Sequence, residues 1–222
     1  MKTVNIFCIV AKTGSGKTRY TNGLLADKSF LNKMNLSLLV YGTTRNKRGN
    51  EIDGIDYHFC TNEEYEKIPE DDLIEYRSYY TMNDGTIYYF TKKEYFEDKD
   101  NIICIASPYQ YESYRNWCSK QNIKGDNYRI FLISIDCSLK IRIERLLDRA
   151  EKDSDIYEIC RRVMQEKNEF EDVGKRIPEL IDPMMATNVC IIDNNSSLEI
   201  DILCNLMKLK EFIKRSIFSS QI

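Results

Sequence analysis

Short apolar runs alternate with longer amphipathic stretches along the whole chain. Runs of β-branched and other apolar residues, typical of buried strands, occupy residues 4–10, 36–41, 101–106, 128–135 and 189–192. The pattern indicates helices over residues 18–26, 112–120, 138–149, 156–170 and 198–217. Strands that alternate with helices predict an α/β fold, with a mostly parallel sheet and helices on both faces.

Residues 42–98 have a different character, because charge and tyrosine increase there and the apolar runs become short. Asn83-Asp84-Gly85 predicts a hairpin turn between Tyr79-Tyr80 and residues 87–90. We therefore expect a small β-rich lobe at residues 42–98, inserted into a core made of residues 1–41 and 99–222. Residues 1–222 would then form a single domain of ordinary size.

Composition narrows the class of protein. The chain has 222 residues, of which 42% are hydrophobic and 30% charged, and these values argue against disorder and fibrous repeats. The net charge of −3 argues against a protein that binds nucleic acid non-specifically, because such proteins usually carry excess positive charge. It does not argue against a small anionic substrate. Without a membrane-spanning stretch or a signal-peptide pattern, we expect a cytoplasmic protein with no membrane partner.

The cysteines do not indicate a metal site. There are eight, no two of them form a CxxC pair, and His58 is the single histidine. Several stand inside apolar runs, as Cys104 does, so we expect reduced, buried thiols and a reducing compartment.

A phosphate-binding pattern follows the first predicted strand directly. The segment Ala11-Lys12-Thr13-Gly14-Ser15-Gly16-Lys17-Thr18 fits G-x-x-x-x-G-K-[ST], with alanine at the first glycine position. The two glycines allow successive N–H groups to point at one phosphate, and the following helix adds its positive N-terminus. Lys17 could reach the β- and γ-phosphates of a nucleotide, and the Thr18 hydroxyl could bind Mg²⁺. The alternative is an ordinary turn between strand and helix.

A second candidate anion site follows the second predicted strand. Arg45 and Arg48 stand three residues apart, and each could donate paired hydrogen bonds to a phosphate. Tyr57 adds a phenolic donor, and Glu51 or Asp56 could hold one of the arginines in place. The alternative is a solvated charged loop.

This segment resembles the guanylate kinase family. Residues 43–59 follow the family hallmark T-T-R-x-x-R-x-G-E-x-[DN]-G-x-D-Y-x-F, and weaker similarity extends over most of the chain to about residue 172. The resemblance implies a P-loop kinase core that transfers the γ-phosphoryl group of ATP, with Mg²⁺, to GMP or dGMP. The products would be ADP and GDP or dGDP, and the partners would be these nucleotides. We expect a monomer or a homodimer.

The resemblance also assigns roles by position. Arg45, Arg48, Tyr57 and Tyr89 would bind the acceptor phosphate, and Glu75 would accept from the guanine N–H edge. Two more residues would lie near the acceptor base: Thr91, where the family has a small hydroxyl residue, and Ser107, where it has an acidic residue that recognises guanine. Asp193-Asn194 would lie near the donor adenine, and Ala11 to Thr18 would surround the ATP phosphates.

An arginine lid is implied over residues 145–165. Arg145 and Arg149 would stand at its near end, Arg162 at its far end, and residues 150–155 at its mobile tip. Together with Lys17 and Arg45 they would stabilise the transferred charge and exclude water. The alternative is that these arginines form a solvated helix face.

Departures from the family cluster around the expected base pocket. Besides Ser107, they are Tyr41-Gly42 in place of two serines, Phe90 in place of a glycine, and a hairpin about five residues longer. Phosphoryl transfer is therefore better supported than guanine specificity. Three alternatives stay open: a kinase for another nucleoside monophosphate, a non-catalytic guanylate-kinase-like domain that binds proteins, and a phosphotransferase for a non-nucleotide phosphate.

Overall fold

The computed structural model describes residues 3–81, 85–97, 99–183 and 188–219. The strands are β1 (Thr3–Val10), β2 (Leu36–Leu38), β3 (Gly42–Thr43), β4 (His58–Phe59), β5 (Leu73–Thr81), β6 (Gly85–Lys92), β7 (Asn101–Ala106), β8 (Asn127–Asp136) and β9 (Val189–Asp193). The α-helices are α1 (Lys17–Ala26), α2 (Lys28–Met34), α3 (Asn62–Tyr65), α4 (Pro108–Ile123), α5 (Leu139–Leu147), α6 (Asp153–Gly174) and α7 (Glu199–Phe218).

Five strands form the central sheet, in the order β2-β7-β1-β8-β9. Every neighbouring pair is parallel. This confirms the predicted α/β class with a mostly parallel sheet. Strand β1 lies in the middle, so the loop after it opens at the carboxyl edge of the sheet, where α/β folds bind their ligands.

Helices cover both faces of this sheet, as predicted. Ile6 and Cys8 of β1 face a core that includes Tyr114 of α4 and Val173 of α6. Phe7 and Ile9 face the opposite core, which includes Leu24 of α1 and Leu209 of α7. Because alternate side chains of a strand point to opposite faces, a continuous apolar run was needed to fill both cores.

A second sheet, in the order β4-β3-β6-β5, lies within residues 42–98. Strands β5 and β6 pair antiparallel, as the expected hairpin requires. Asn83 and Asp84 of its predicted turn lie outside the described residues, while Gly85 has a φ of 68°. The chain passes from the central sheet to the second sheet between Leu39 and Tyr41. The N–H of Leu39 still donates to the carbonyl of Ile103 in the central sheet, whereas the carbonyl of Tyr41 accepts from the N–H of His58 in the second sheet.

Several predicted element boundaries were wrong. Strand β2 ends at Leu38 instead of residue 41, because the chain departs there for the second sheet. Helix α4 begins at Pro108 instead of 112, since Ser107 and Gln110 form a capping box and proline suits the first helical position. Helix α6 begins at Asp153, inside the predicted polar break. Helix α2 was not predicted at all.

The expectation of buried thiols holds for part of the set. Cys8, Cys104, Cys118, Cys137 and Cys190 are buried, and burial raises the pKa of the Cys190 thiol to about 11. Cys160 and Cys204 are exposed, which corrects the prediction for these two residues. They lie on α6 and α7. Within the described ranges, the helices are too short or too polar to span a bilayer.

Candidate active site

The loop between β1 and α1 requires glycine at two positions. Gly14 and Gly16 have φ angles of 79° and 99°, in the left-handed region that favours glycine. A Cβ at position 16 would lie 2.4 Å from Nδ2 of Asn194, and one at position 14 would lie 2.7 Å from the carbonyl oxygen of Arg142. Gly16 is also the N-cap of α1, so no side chain caps the first N–H groups of that helix. Those N–H groups can bind an anion.

Asn194 holds the loop from the end of β9. Its side chain is 2% exposed, and its Nδ2 donates to the carbonyl of Ser15 at 2.7 Å. Its Oδ1 accepts from the hydroxyl of Tyr20 at 2.9 Å. Asn194 therefore fixes the loop against the first turns of α1. Its neighbour Asp193 contacts Asn205 and Asn195 instead.

Two residues that the sequence analysis did not assign also hold the loop. Glu166 of α6 accepts from both the N–H and the hydroxyl of Thr13. Arg142 of α5 is 5% exposed and donates to the carbonyl of Thr13 at 3.0 Å. Its Nη1 lies 3.6 Å from Oε2 of Glu166, so the two charges balance each other. Glu166 stands four residues after Arg162, a spacing that puts both on one helix face and could have indicated it.

Lys17 occupies the centre of the site. Its Nζ donates to the carbonyl of Ala11. Burial lowers the pKa of Lys17, opposed by the charge of Glu166 and assisted by that of Arg142. A desolvated ammonium group held this way gains strongly from a nearby phosphate.

A cavity of about 460 Å³ opens over the loop, and we call it the loop cavity. It is lined by loop residues Lys12, Thr13, Gly14, Gly16, Lys17 and Thr18, by Arg145, Arg149 and Arg162, and by Arg19, Leu146, Asn194 and Ser197. The structure thus brings all three arginines of the expected lid to the phosphate loop. Ala11 and Ser15 are buried beneath it.

The three arginines are held differently. Arg145 donates to the carbonyl of Ser196 at 3.1 Å, and Arg149 is exposed between α5 and α6. Arg162 pairs with Glu158 on its own helix at 2.7 Å. The guanidinium groups of Arg161 and Arg162 hold the pKa of Glu158 at about 2.

A second cavity, of about 400 Å³, lies between the two sheets, and we call it the lobe cavity. Its lining includes Arg77 and Tyr89 from the second sheet and Tyr57 directly before β4. From the other side come Ser107, the N-cap of α4, and Gln110 of that helix. Lys17 lines this cavity as well as the loop cavity. The ammonium-bearing side chain therefore stands in the wall that the two cavities share.

Arg45 supports the lobe cavity from behind its tyrosines. It is 4% exposed, and its two terminal nitrogens donate to the two carboxylate oxygens of Glu51 at 3.0 and 2.8 Å. Its Nε donates to the hydroxyl of Tyr89 at 3.1 Å, and its guanidinium lies 5.3 Å from the ring centroid of Tyr57. Glu51 is thus the carboxylate that holds Arg45.

Asp56, the other candidate for that role, accepts from the N–H of Ile52 instead. The structure does not bring Arg48 to the cavity wall. Its side chain is exposed, and its backbone N–H donates to Glu51 at 2.8 Å. The hallmark glycine is also displaced: Asn50 precedes Glu51, and the glycine is Gly49, with a φ of 51°. The match over residues 43–59 is therefore not complete.

The expected base-reading residues form one hydrogen-bonded group. Oε1 of Glu75 accepts from the hydroxyl of Thr91 at 2.6 Å and from the amide of Gln110 at 3.1 Å. Because Thr91 donates to Glu75, the hydroxyl of Tyr114, 2.9 Å away, must donate to Thr91. The Ser107 hydroxyl accepts from the N–H of Gln110 as the cap of α4. The Ser107 side chain thus caps α4. Gln110, which the sequence alone did not indicate, is the residue that contacts Glu75.

Two departures from the family compensate each other. Gly42 of β3 stands opposite Phe90 of β6, and a Cβ at position 42 would lie 2.2 Å from the Phe90 ring. The ring, 2% exposed, fills the space that a side chain at position 42 would need. Gly42, in place of a serine, leaves space on β3, and Phe90, in place of a glycine, fills that space from β6. The two departures are therefore one compensating change in side-chain volume.

We expect this exchange to appear as coupling in a double-mutant cycle. Gly42→Ser alone should destabilise the fold by about 1–3 kcal/mol through overpacking, and Phe90→Ala by about 3–5 kcal/mol through the cavity it leaves. Because each change relieves the other, the double variant should lose about 0.5–3 kcal/mol less than the sum. Urea unfolding measures all three, and additive losses would contradict the pairing.

Comparison with known proteins places these features in one family. A family model described as guanylate kinase matches residues 3–173. A guanylate kinase of Mycoplasmoides gallisepticum is 34% identical over 99 residues, which are 44% of this chain and 48% of the relative. One of Brucella melitensis is 40% identical over 80 residues, covering 36% of this chain and 34% of the relative. The chain therefore spans about half or less of these relatives.

A solved structure shows the same fold. The guanylate kinase from Anaplasma phagocytophilum superimposes with a TM-score of 0.52 over 97% of this chain and 87% of that chain, at 16% sequence identity. The overall arrangement of elements is thus shared although few residues are the same.

Proposed function

The chain belongs to the guanylate kinase family, and from this premise we propose that it transfers the γ-phosphoryl group of ATP to GMP or dGMP. The observation that carries the proposal is the position of Lys17 in the wall between the loop cavity and the lobe cavity. A phosphate bound on the loop and a phosphate bound beside Tyr57 and Tyr89 would both lie next to this side chain.

The proposed reaction needs no side-chain nucleophile. An oxygen of the acceptor phosphate attacks the γ-phosphorus of ATP, the bond from that phosphorus to the β–γ bridging oxygen breaks, and ADP leaves with the electron pair. Lys17 and the arginines of the loop cavity, Arg145, Arg149 and Arg162, stabilise the charge on the transferred group. Catalysis then consists of positioning and charge stabilisation.

Mg²⁺ fits the oxygen donors of this site. Thr18 is exposed and lines the loop cavity beside Lys17, so its hydroxyl could bind the ion. Mg²⁺ in such sites keeps waters and takes its other ligands from substrate phosphates. When bound, it would neutralise phosphate charge during transfer.

The acceptor would lie in the lobe cavity. Tyr57 and Tyr89 line it, and Arg45 reinforces both through its hydrogen bond to Tyr89 and its position over the Tyr57 ring. Arg48, exposed in this structure, would reach the phosphate only by moving. The nucleobase would lie toward Glu75, Ser107 and Gln110.

An acceptor panel tests the proposal. ADP release from ATP and Mg²⁺ is followed with GMP, dGMP, AMP, CMP, UMP or dTMP, and a reaction without acceptor measures hydrolysis. We expect GMP and dGMP to raise the rate of ADP release far above the acceptor-free rate. Release that no acceptor stimulates would contradict a nucleoside monophosphate kinase.

One observation favours a second candidate, a kinase of different base preference. Ser107 stands where the family has an acidic base reader, and its hydroxyl is engaged in capping α4. The same panel decides between the candidates, because a preferred acceptor other than guanine would select the second one.

A further inference from the structure

Arg77 lines the lobe cavity, although the hallmark motif does not include it. It lies on β5, two residues after Glu75, so both side chains point to the same face of the second sheet. Arg77 pairs in register with Tyr89, and Glu75 pairs with Thr91. Arg77 therefore lies between Glu75, which is expected to recognise the base, and Tyr89, which Arg45 supports.

The guanidinium of Arg77 is incompletely satisfied. Its Nε is buried and has no hydrogen-bond partner within the described part of the chain. Its ion-pair partner, Oε2 of Glu75, lies 3.7 Å away, which is too far for a hydrogen bond. A buried donor without a partner is rare in folded proteins, so an acceptor supplied by a ligand would satisfy it.

The two carboxylate oxygens of Glu75 have different surroundings. Oε1 is occupied by Thr91 and Gln110, whereas Oε2 lies on the side of Arg77. The carboxylate is 6% exposed, so its orientation is fixed by these contacts. Arg77 lines the lobe cavity, and Oε2 of Glu75 stands 3.7 Å from its Nε, so a group of donors and a hydrogen-bond acceptor lie side by side.

We propose that Arg77 is the specificity-determining residue of the acceptor base, donating to guanine O6 while Oε2 of Glu75 accepts from N1–H. This role of Arg77 rests on the proposed function and explains how the kinase would select the base of its acceptor. Guanine presents the acceptor O6 next to the donor N1–H, which complements the pair. Adenine presents a donor at N6 next to the acceptor N1, so both contacts would be mismatched. Arginine is the side chain that most often reads guanine O6 in nucleic-acid complexes.

This pair takes the place of a second carboxylate. The residue directly after β7 is Ser107, and its hydroxyl is engaged in the cap of α4. Recognition of the base then depends on the contrast between the donors of Arg77 and the acceptor of Glu75. Inosine monophosphate, which keeps O6 and N1–H but lacks the 2-amino group, should therefore be accepted as well.

The test measures kcat/KM for GMP, inosine monophosphate and AMP at saturating ATP in Arg77→Met and Arg77→Lys. Arg77→Met should lower the value for GMP and for inosine monophosphate by about 10- to 100-fold, in line with the discrimination that a good bidentate pair provides. The value for AMP should stay the same or rise, and the KM for ATP should not change. Arg77→Lys, which keeps one charged donor, should show a smaller loss of the same selectivity.

Equal losses for all three acceptors would overturn the proposal, because they would assign Arg77 to the shared phosphate or to structure. Unchanged GMP kinetics would overturn it as well. Arg215→Ala is the matched control, since that arginine is exposed on α7 and pairs with Glu211. If Arg77→Met fails to fold by circular dichroism, Arg77→Lys carries the test. A wild-type protein that phosphorylates none of the acceptors would instead reject the proposed function.

Discussion

Replacing Lys17 by alanine is expected to lower kcat by about 10²- to 10³-fold or more, because it removes a cation that lines both cavities. The fold should survive the change. Burial lowers the pKa of Lys17, so at neutral pH the charged side chain costs the folded state free energy, and alanine removes that cost. The melting temperature should therefore be unchanged or higher.

The measurement combines ADP release with a thermal melt followed by circular dichroism. Lys214→Ala, which removes an exposed lysine from α7, is the control for loss of one positive charge. Turnover near the wild-type rate in Lys17→Ala would refute the mechanism. A cooperative melt in the inactive variant would separate the loss of chemistry from unfolding.

Arg45→Ala is expected to raise the KM for the acceptor by about 10- to 100-fold, corresponding to the 1.5–3 kcal/mol of a hydrogen bond to a charged group. The KM for ATP should change little, because Arg45 contacts Tyr57, Tyr89 and Glu51 and does not line the loop cavity. Arg45→Lys should recover only part of the affinity, since lysine cannot hold both oxygens of Glu51 at once.

Lys47→Ala serves as the neighbouring control, because its ammonium packs over the ring of Phe59 and belongs to neither cavity lining. Steady-state kinetics with each substrate varied in turn measure both KM values. An equal rise in the KM for ATP and for the acceptor would show that Arg45 acts on the whole fold instead of on the lobe cavity.

Local sequence signals were sufficient for the central sheet and its loop. The apolar run of β1 leads directly into Gly14 and Gly16, and both glycines adopt the left-handed backbone that the motif requires. The alternation of strands and helices gave the parallel order because crossover connections of this length favour it. The elements that were misjudged at their ends, such as α4, depended on a cap formed by two polar side chains.

Contacts between distant segments could not be derived from local patterns. Glu166 holds Thr13 across 153 positions of sequence, and the pairing of Gly42 with Phe90 appears only once the register of β3 and β6 is known. Arg142 lies on the same helix as Arg145, which lines the loop cavity, but it is buried and supports the phosphate loop through Thr13. Such residues have ordinary sequence neighbours, and only packing distinguishes them.

Direct transfer of phosphate tests the central claim that Lys17 joins two phosphate sites. ATP labelled at the γ-phosphate is mixed with excess enzyme, Mg²⁺ and GMP, and the products of one turnover are separated. We expect the label to appear in GDP, and we expect Lys17→Ala to slow its appearance by about 10²-fold or more. Label recovered only as inorganic phosphate, or at an equal rate in the variant, would contradict it.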